Sequence, residues 1–255
     1  MKIKILNKLI GSILILTTIT IFTSCADNFV DTTPTLNLPG ETVITDASSA
    51  ESALNGMYSA MQFGRNFGGY DVFDTGMFAD ELSHIGSFPT LAALNANDPS
   101  NNSTEITNFW NNHYNAIYRA NYIIEQVQNL DTGISQEDKD RIIGQATAAR
   151  ALMYYKLVKV YGGLPLTTDA FTDATDIDVN PIPRSSVSEV YTFIFDDIKN
   201  AVDILPDDLG IFSFNKNAAR VLKAKIEMEL EDYTAAENTL QPVLAAGYSL
   251  EDNYE

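Results

Sequence analysis

The chain has 255 residues, 45% hydrophobic, 10% aromatic and 20% charged, which excludes collagen-like, mucin-like and fully disordered polymers and leaves ample material for a buried core. Its 34 acidic against 16 basic residues give a formal net charge of −18, a field that repels phosphate backbones and anionic membrane surfaces. One cysteine and two widely separated histidines, His84 and His113, exclude an intramolecular disulfide and leave zinc chemistry little to use.

Residues 1–24 read as a signal peptide. Lys2, Lys4 and Lys8 form a basic start, and Leu9 to Phe22 is apolar but shorter than the roughly 20 residues of a membrane span. Thr23 and Ser24 stand directly before the sole cysteine, Cys25, and this arrangement resembles a bacterial lipobox. On that reading Cys25 is the lipidated N-terminus of the mature chain, and lipid, not charge, holds the protein to a membrane. Residues 25–45, with Pro34, Pro39 and Gly40, read as a lipidated tether without periodicity.

The folded part is expected over 46–255 and is all-α. Asp46 caps a first helix whose apolar positions are Ala50, Ala53, Leu54, Met57, Tyr58 and Met61. Residues 64–103 hold five glycines and keep no period of 2 or 3.6, so a long irregular loop is predicted there. Its aromatics, Phe67, Tyr70, Phe73, Phe78 and Phe88, argue against disorder. A second helix starts near Thr104, with Phe109, Trp110, His113, Ile117 and Val127 on one broad face. On this reading His113 is a hydrogen-bonded core histidine, and Trp110 is core and not a sugar platform.

A third helix begins at Ser135 and closes at Gly162-Gly163. A Pro/Asp/Thr-rich connection covers 164–185. Ser186 and Glu189 form a capping box for a fourth helix, which buries Val190, Ile194, Ile198, Ala201 and Leu205 and stops at Pro206. Asn215 and Asp232 cap two shorter helices joined by a tight turn, with Tyr233 and Ala236 expected to pack between them. The pair resembles a tetratricopeptide unit, with Glu231 where that repeat prefers glycine.

Chemistry-bearing patterns are few. Asp196-Asp197 lies on a helix, where neighbours point about 100° apart, so the two cannot face each other as glycosidase carboxylates do; one of them is expected to solvate the helix surface. Asp80-Glu81 alone lies in the aromatic, glycine-rich loop. Asp169, Asp173, Asp176 and Asp178 cluster without the spacing or central glycine of an EF-hand, which favours a solvated acidic loop over a calcium site. No Walker loop, dinucleotide fingerprint, GxSxG elbow or HExxH helix occurs.

Four motifs in order resemble the SusD/RagB family of outer-membrane nutrient-binding lipoproteins: "CADNFVDTTP"; "RALMYYKLVKVYGGLPL", carrying Arg150, Tyr155 and Pro165; "PRSSVSEVYTFIFDDIKNAVDILP", carrying Arg184, Glu189 and Asp197; and "NKNAARVLKAKIEMELEDY". Val30 and Lys225 depart from the family's usual leucine and arginine, and Arg119, Ala120 and Asn121 stand at its customary "RAN". The resemblance implies a SusD-like helical scaffold with tetratricopeptide-like helix pairs and long irregular loops. It implies a lipid-anchored protein on the outer-membrane surface of Bacteroidota that captures oligosaccharide, or in some members peptide. Its partner would be a SusC-like TonB-dependent transporter; no reaction, metal or cofactor is implied. Arg150, Glu189 and Asp197 are expected to serve packing and ion pairing. Family members run well past the point matched by Glu255, so an N-terminal portion is expected.

Ligand contacts do not carry over from the family residue by residue. The physical choice for them is the loop, which offers aromatic faces for sugar rings and polar groups for hydroxyls: Tyr70, Asp80, Glu81, His84, Phe88 and Asn95. Two other readings compete: a helical-repeat interaction module that binds no nutrient, and a glycosidase using Asp80.

Overall fold

The computed structural model describes residues 44–62, 69, 75–100, 103–170, 181–207 and 212–248. All belong to one unit, Ile44–Glu255. Cys25, Tyr70, Asp173, Asp176 and Asp178 lie outside the described residues, as do the predicted leader and most of the tether.

The helices are α1 (Ala47–Gln62), α2 (Pro89–Asn95), α3 (Thr104–Gln128), α4 (Gln136–Tyr161), α5 (Val187–Ile204), α6 (Lys216–Glu229) and α7 (Tyr233–Ala245). Among the described residues there is no strand; Pro165 and Arg184 form an isolated antiparallel bridge. Each of α3 to α6 packs on the next in sequence, and α1 lies against α3 and α4. The class is all-α, as expected.

Local chemistry sets the boundaries. The Ser135 hydroxyl accepts from the Asp138 N–H at 3.1 Å, and the Asn215 side chain accepts from the Ala218 N–H at 2.8 Å, each satisfying a donor that the first helical turn leaves orphaned. At Ser186 both halves of the capping box are made: its hydroxyl accepts from the Glu189 N–H, and the Glu189 carboxylate accepts from the Ser186 N–H at 2.7 Å. Glu231 adopts φ +64°, the left-handed turn for which the repeat prefers glycine.

The core is centred on α4, which is buried on nearly every side from Gly144 to Val158. Against it α5 buries Val190, Ile194, Ile198, Ala201 and Leu205, the larger aliphatic chains each worth about 2 kcal/mol of burial. Tyr58 ties α1 into this core: its hydroxyl donates to Gln145 Oε1 at 2.8 Å and accepts from the Phe214 N–H at 3.1 Å. Burial pushes that phenol up to about 12.

Two expectations need correction. The segment 64–103 is not wholly irregular: Pro89–Asn95 is helical, begun by a proline whose missing N–H costs nothing at that position. Asn97 ends it at φ +53°, with the Asp98 N–H donating back to the Ala93 carbonyl, and Leu94 is fully buried beneath it. Tyr233 does not pack between α6 and α7. It is the first residue of α7, level with the turn, and 64% exposed, whereas Ala236 is buried as expected.

Candidate functional site

The largest departure concerns Trp110. Its helix α3 buries Phe109, His113, Ala116, Ile117 and Ala120 as core. His113 is fully buried and stacks on Phe109, ring centroids 4.1 Å apart, with Nδ1 2.7 Å from the Phe109 carbonyl. That carbonyl only accepts, so Nδ1 carries the proton. Trp110 lies one residue, about 100°, around the helix from Phe109 and falls on the rim of this core. It is half-buried and shares one stripe with Tyr114 and Tyr118, at successive steps of four residues. The expectation of a plain core tryptophan is thereby corrected.

These rings line a cavity of about 380 Å³, completed by Asn121, by Pro165, Thr167 and Asp169, and by Pro181 and Ile182. The rings are fixed before any ligand arrives. Trp110 and Tyr114 lie 4.7 Å apart between centroids, Tyr161 meets Trp110 edge-on at 5.0 Å, and the Arg184 guanidinium sits 5.5 Å from the indole. Tyr114 donates to the Pro165 carbonyl at 2.8 Å, and burial raises its phenol well above the ordinary range. Tyr118 is 40% exposed and offers its ring outward.

The opposite wall is held by the chain that leaves α4. Gly162 takes φ +70° to end the helix, and Gly163 lets the backbone of Ser185 pass so close that a Cβ would stand 2.3 Å from its carbonyl oxygen. The Ser185 N–H donates to the Leu164 carbonyl at 2.8 Å, and Arg184 Nη1 donates to the carbonyls of Tyr161 and Gly163 at 3.0 and 2.6 Å. Tyr154, fully buried, accepts from the Thr167 N–H at 3.0 Å, and burial lifts its phenol to about 12.

Behind the cavity runs a buried ionic network. Arg150 donates from Nε and Nη2 to the two carboxylate oxygens of Asp197, at 2.8 and 2.7 Å, and from Nη1 to Asn121 Oδ1 at 2.7 Å. Its guanidinium also lies 5.1 Å from the Phe193 ring centroid. Asn121 passes the connection on, its Nδ2 donating to the Thr167 and Asp169 carbonyls at 3.1 and 3.2 Å. Burial pushes the Asp197 carboxyl above its ordinary value while Arg150 pulls the other way. Asp196 is exposed, so one member of that acid pair solvates the helix and the other is spent in the core. The expectation of packing and ion pairing accords with this geometry for Arg150 and Asp197, whereas Glu189 is exposed and its carboxylate closes the Ser186 capping box instead.

The loop residues chosen from sequence are only partly brought together. Asp80 adopts φ +60° and closes a turn in which the Glu81 and Leu82 N–H groups donate to the Gly76 carbonyl; the Asp80 and Glu81 side chains are exposed. The His84 N–H donates to Asn95 Oδ1 at 2.9 Å, so part of Asn95 is engaged in bracing the loop onto α2. Phe88 is 67% exposed, beside fully exposed Ile85. Tyr161 separates this loop from the aromatic cavity: it lines the space under Phe78 and Leu94 and also meets Trp110. Among the described residues no group of three or more His, Cys, Asp or Glu is placed to hold a metal ion. No described helix is long and apolar enough to cross a membrane.

The sequence reading missed Trp110, Tyr114, Tyr118, Asn121, Thr167 and Arg184. Spacing of four from Trp110 to Tyr114 to Tyr118 was the available signal. It was hidden because the apolar face of α3 is broad and runs continuously into the aromatic stripe.

Consecutively packed helices joined by irregular connections form a SusD-type helical scaffold. Solved structures share it: a SusD superfamily protein from Bacteroides vulgatus matches with TM-score 0.74 and 24% identity, over 82% of this chain and 45% of that one. A laminarin-binding SusD-like protein matches with TM-score 0.70 and 22% identity, over 82% and 47%. In sequence, SusD-like protein P38 of Formosa agariphila is 32% identical over 165 residues, 64% of this chain and 31% of that protein. A SusD-like protein of Bacteroides ovatus is 26% identical over 215 residues, 84% of this chain and 38% of its own. The chain thus spans less than half the length of these relatives.

A family model described as "Starch-binding associating with outer membrane" matches residues 28–228. The chain belongs to this SusD-like family.

Proposed function

We propose that this chain forms the helical scaffold of a cell-surface lipoprotein that binds oligosaccharide and passes it to a SusC-like TonB-dependent transporter, without breaking a bond. The observation that carries the binding step is the stripe Trp110, Tyr114 and Tyr118 with Asn121, Thr167 and Asp169 beside it. Pre-packed rings accept the apolar faces of sugar rings at little entropic cost, and the Thr167 hydroxyl and Asp169 carboxylate match sugar hydroxyls, while buried Asn121 holds that edge in place. Family membership and the laminarin-binding structural neighbour support the same ligand class. Asp80, Glu81, His84, Phe88 and Asn95, with Tyr70, are proposed as an outer contact surface beyond Tyr161.

Anchoring is assigned to Cys25, acylated after removal of residues 1–24, with 25–45 as tether. Radioactive palmitate should label the chain in cells, and Cys25→Ala should abolish the label. No catalytic role is assigned to either acid pair: Asp197 is committed to Arg150, and the Asp80 backbone closes a turn.

Calorimetric titration of the full chain, solubilised in mild detergent, against laminarin and starch oligosaccharides tests the binding step. Saturable heat is expected with at least one glucan. Co-purification with a TonB-dependent barrel but no heat with any glycan would favour a pure interaction module. Sugar release abolished by Asp80→Asn would revive the glycosidase reading.

A further inference from the structure

Beside the aromatic stripe, α3 carries a second stripe of a different chemistry. Asn111, Asn115 and Arg119 follow one another at steps of four, and Arg119 lies roughly 100° around the helix from Tyr118. With Asn112 they face Gly56 and Ser59 of α1 across a polar groove of about 500 Å³. We infer that this groove recognises a carboxylate or sulfate group on an acidic oligosaccharide, with Arg119 as its anion-binding residue; the inference rests on the oligosaccharide reading and adds a charge class to it.

Arg119 is oriented for that task. Its Nε donates to Asn115 Oδ1 at 2.9 Å, and Nη1 lies 3.5 Å from the Gly56 carbonyl. The guanidinium is thereby fixed against α1, and the Nη2 donors are not used in these contacts. Because Asn115 accepts through Oδ1, its Nδ2 hydrogens add donors next to the guanidinium. An anionic oxygen group placed there receives charge-assisted bonds from a preset fork.

Use of this arginine differs from that of the other described arginines. Arg141 pairs with Glu51 and Asp138, Arg150 with Asp197, and Arg220 with Asp207, while Arg184 is spent on carbonyls and the indole. Among the described residues no carboxylate forms an ion pair with Arg119. In a chain of net charge −18 that makes the groove a local exception. The remaining carboxylates act only over about 8 Å at physiological ionic strength, so a cation held in a groove still attracts an anion.

Gly56 keeps the groove open. A Cβ there would stand 3.5 Å from Arg119 Nη1, an ordinary contact, but a longer side chain would occupy the space beside the guanidinium. Since glycine disfavours helix interiors by roughly 1 kcal/mol relative to alanine, Gly56→Leu should fold well and still fill the groove.

The test compares the full chain's affinity for three tetrasaccharides: a galacturonate (carboxylate), a carrageenan (sulfate) and laminaritetraose (neutral), at low and high salt. At least one anionic probe should bind about tenfold or more tightly than the neutral one, with an advantage that shrinks in high salt. Arg119→Gln and Gly56→Leu should each bring that affinity down to the neutral level, with unchanged circular dichroism. Which anionic probe prevails distinguishes carboxylate from sulfate. Anionic affinity unaltered in both variants, or no anionic advantage while laminaritetraose binds, would overturn the inference and leave the oligosaccharide reading standing. No binding by any of the three would count against both.

Discussion

Replacing Arg150 with methionine keeps most of the side chain's volume and removes its charge. The structure then leaves the two Asp197 carboxylate oxygens, Asn121 Oδ1 and the face of Phe193 without their cationic partner. Breaking a buried ion pair from one side costs about 3–5 kcal/mol, so a loss of about 4 kcal/mol is expected, a large part of a domain's total stability. For a domain of this size that corresponds to roughly 12 °C in Tm.

The penalty also has a pH signature. The Asp197 carboxyl is already raised in the folded state by burial, and Arg150 opposes that rise. A raised acid binds its proton more tightly when folded, so its contribution to stability declines as pH climbs from the unfolded carboxyl value through the folded one. Without Arg150 the rise is larger, so the gap between wild type and Arg150→Met should be widest at neutral pH and should narrow as pH falls toward 3.8, the ordinary value for Asp. Urea unfolding across that pH range measures it. Arg141→Met is the control, since its half-exposed pair with Glu51 should cost no more than about 1 kcal/mol. A pH-independent gap, or one no larger than the control's, would refute the assignment of this network as a buried, charge-dependent clamp.

Further outcomes are specific to single positions. Glu231→Gly relieves the φ of +64° in the turn between α6 and α7 and should raise stability by about 1 kcal/mol in thermal unfolding. Gly163→Ala should force the Ser185 carbonyl away, break the Pro165–Arg184 bridge and weaken oligosaccharide binding more than it lowers Tm. Ser186→Ala removes a completed capping box and should cost about 1 kcal/mol in urea unfolding without changing affinity.

Most of the helical frame was legible because its signals are local. Ser135, Ser186, Asn215 and Asp232 each cap the helix that their sequence context marks, and the α5 stripe Val190–Ile194–Ile198–Ala201 is buried as its period demands. The short α2 escaped notice because a proline start and an asparagine stop around seven residues also read as a loop. The aromatic cavity was illegible for a different reason. Periodicity tells which residues share a face of α3, but whether Trp110 is core or rim depends on where the 164–185 connection returns. That return is governed by Gly163, Arg184 and the buried Arg150–Asn121 contact, in which Gly163, Arg184 and Arg150 are remote in sequence from Trp110.

Trp110 is the sole tryptophan, so intrinsic fluorescence reports directly on the proposed binding cavity. Titrating the full chain with an oligosaccharide that gives calorimetric heat should produce a saturable change in tryptophan emission with the same Kd, and Tyr118→Ala should weaken that Kd about tenfold, a loss of roughly 1.4 kcal/mol. Calorimetric binding with no change in Trp110 emission, and an affinity unaffected by Tyr118→Ala, would contradict the placement of the sugar on this stripe.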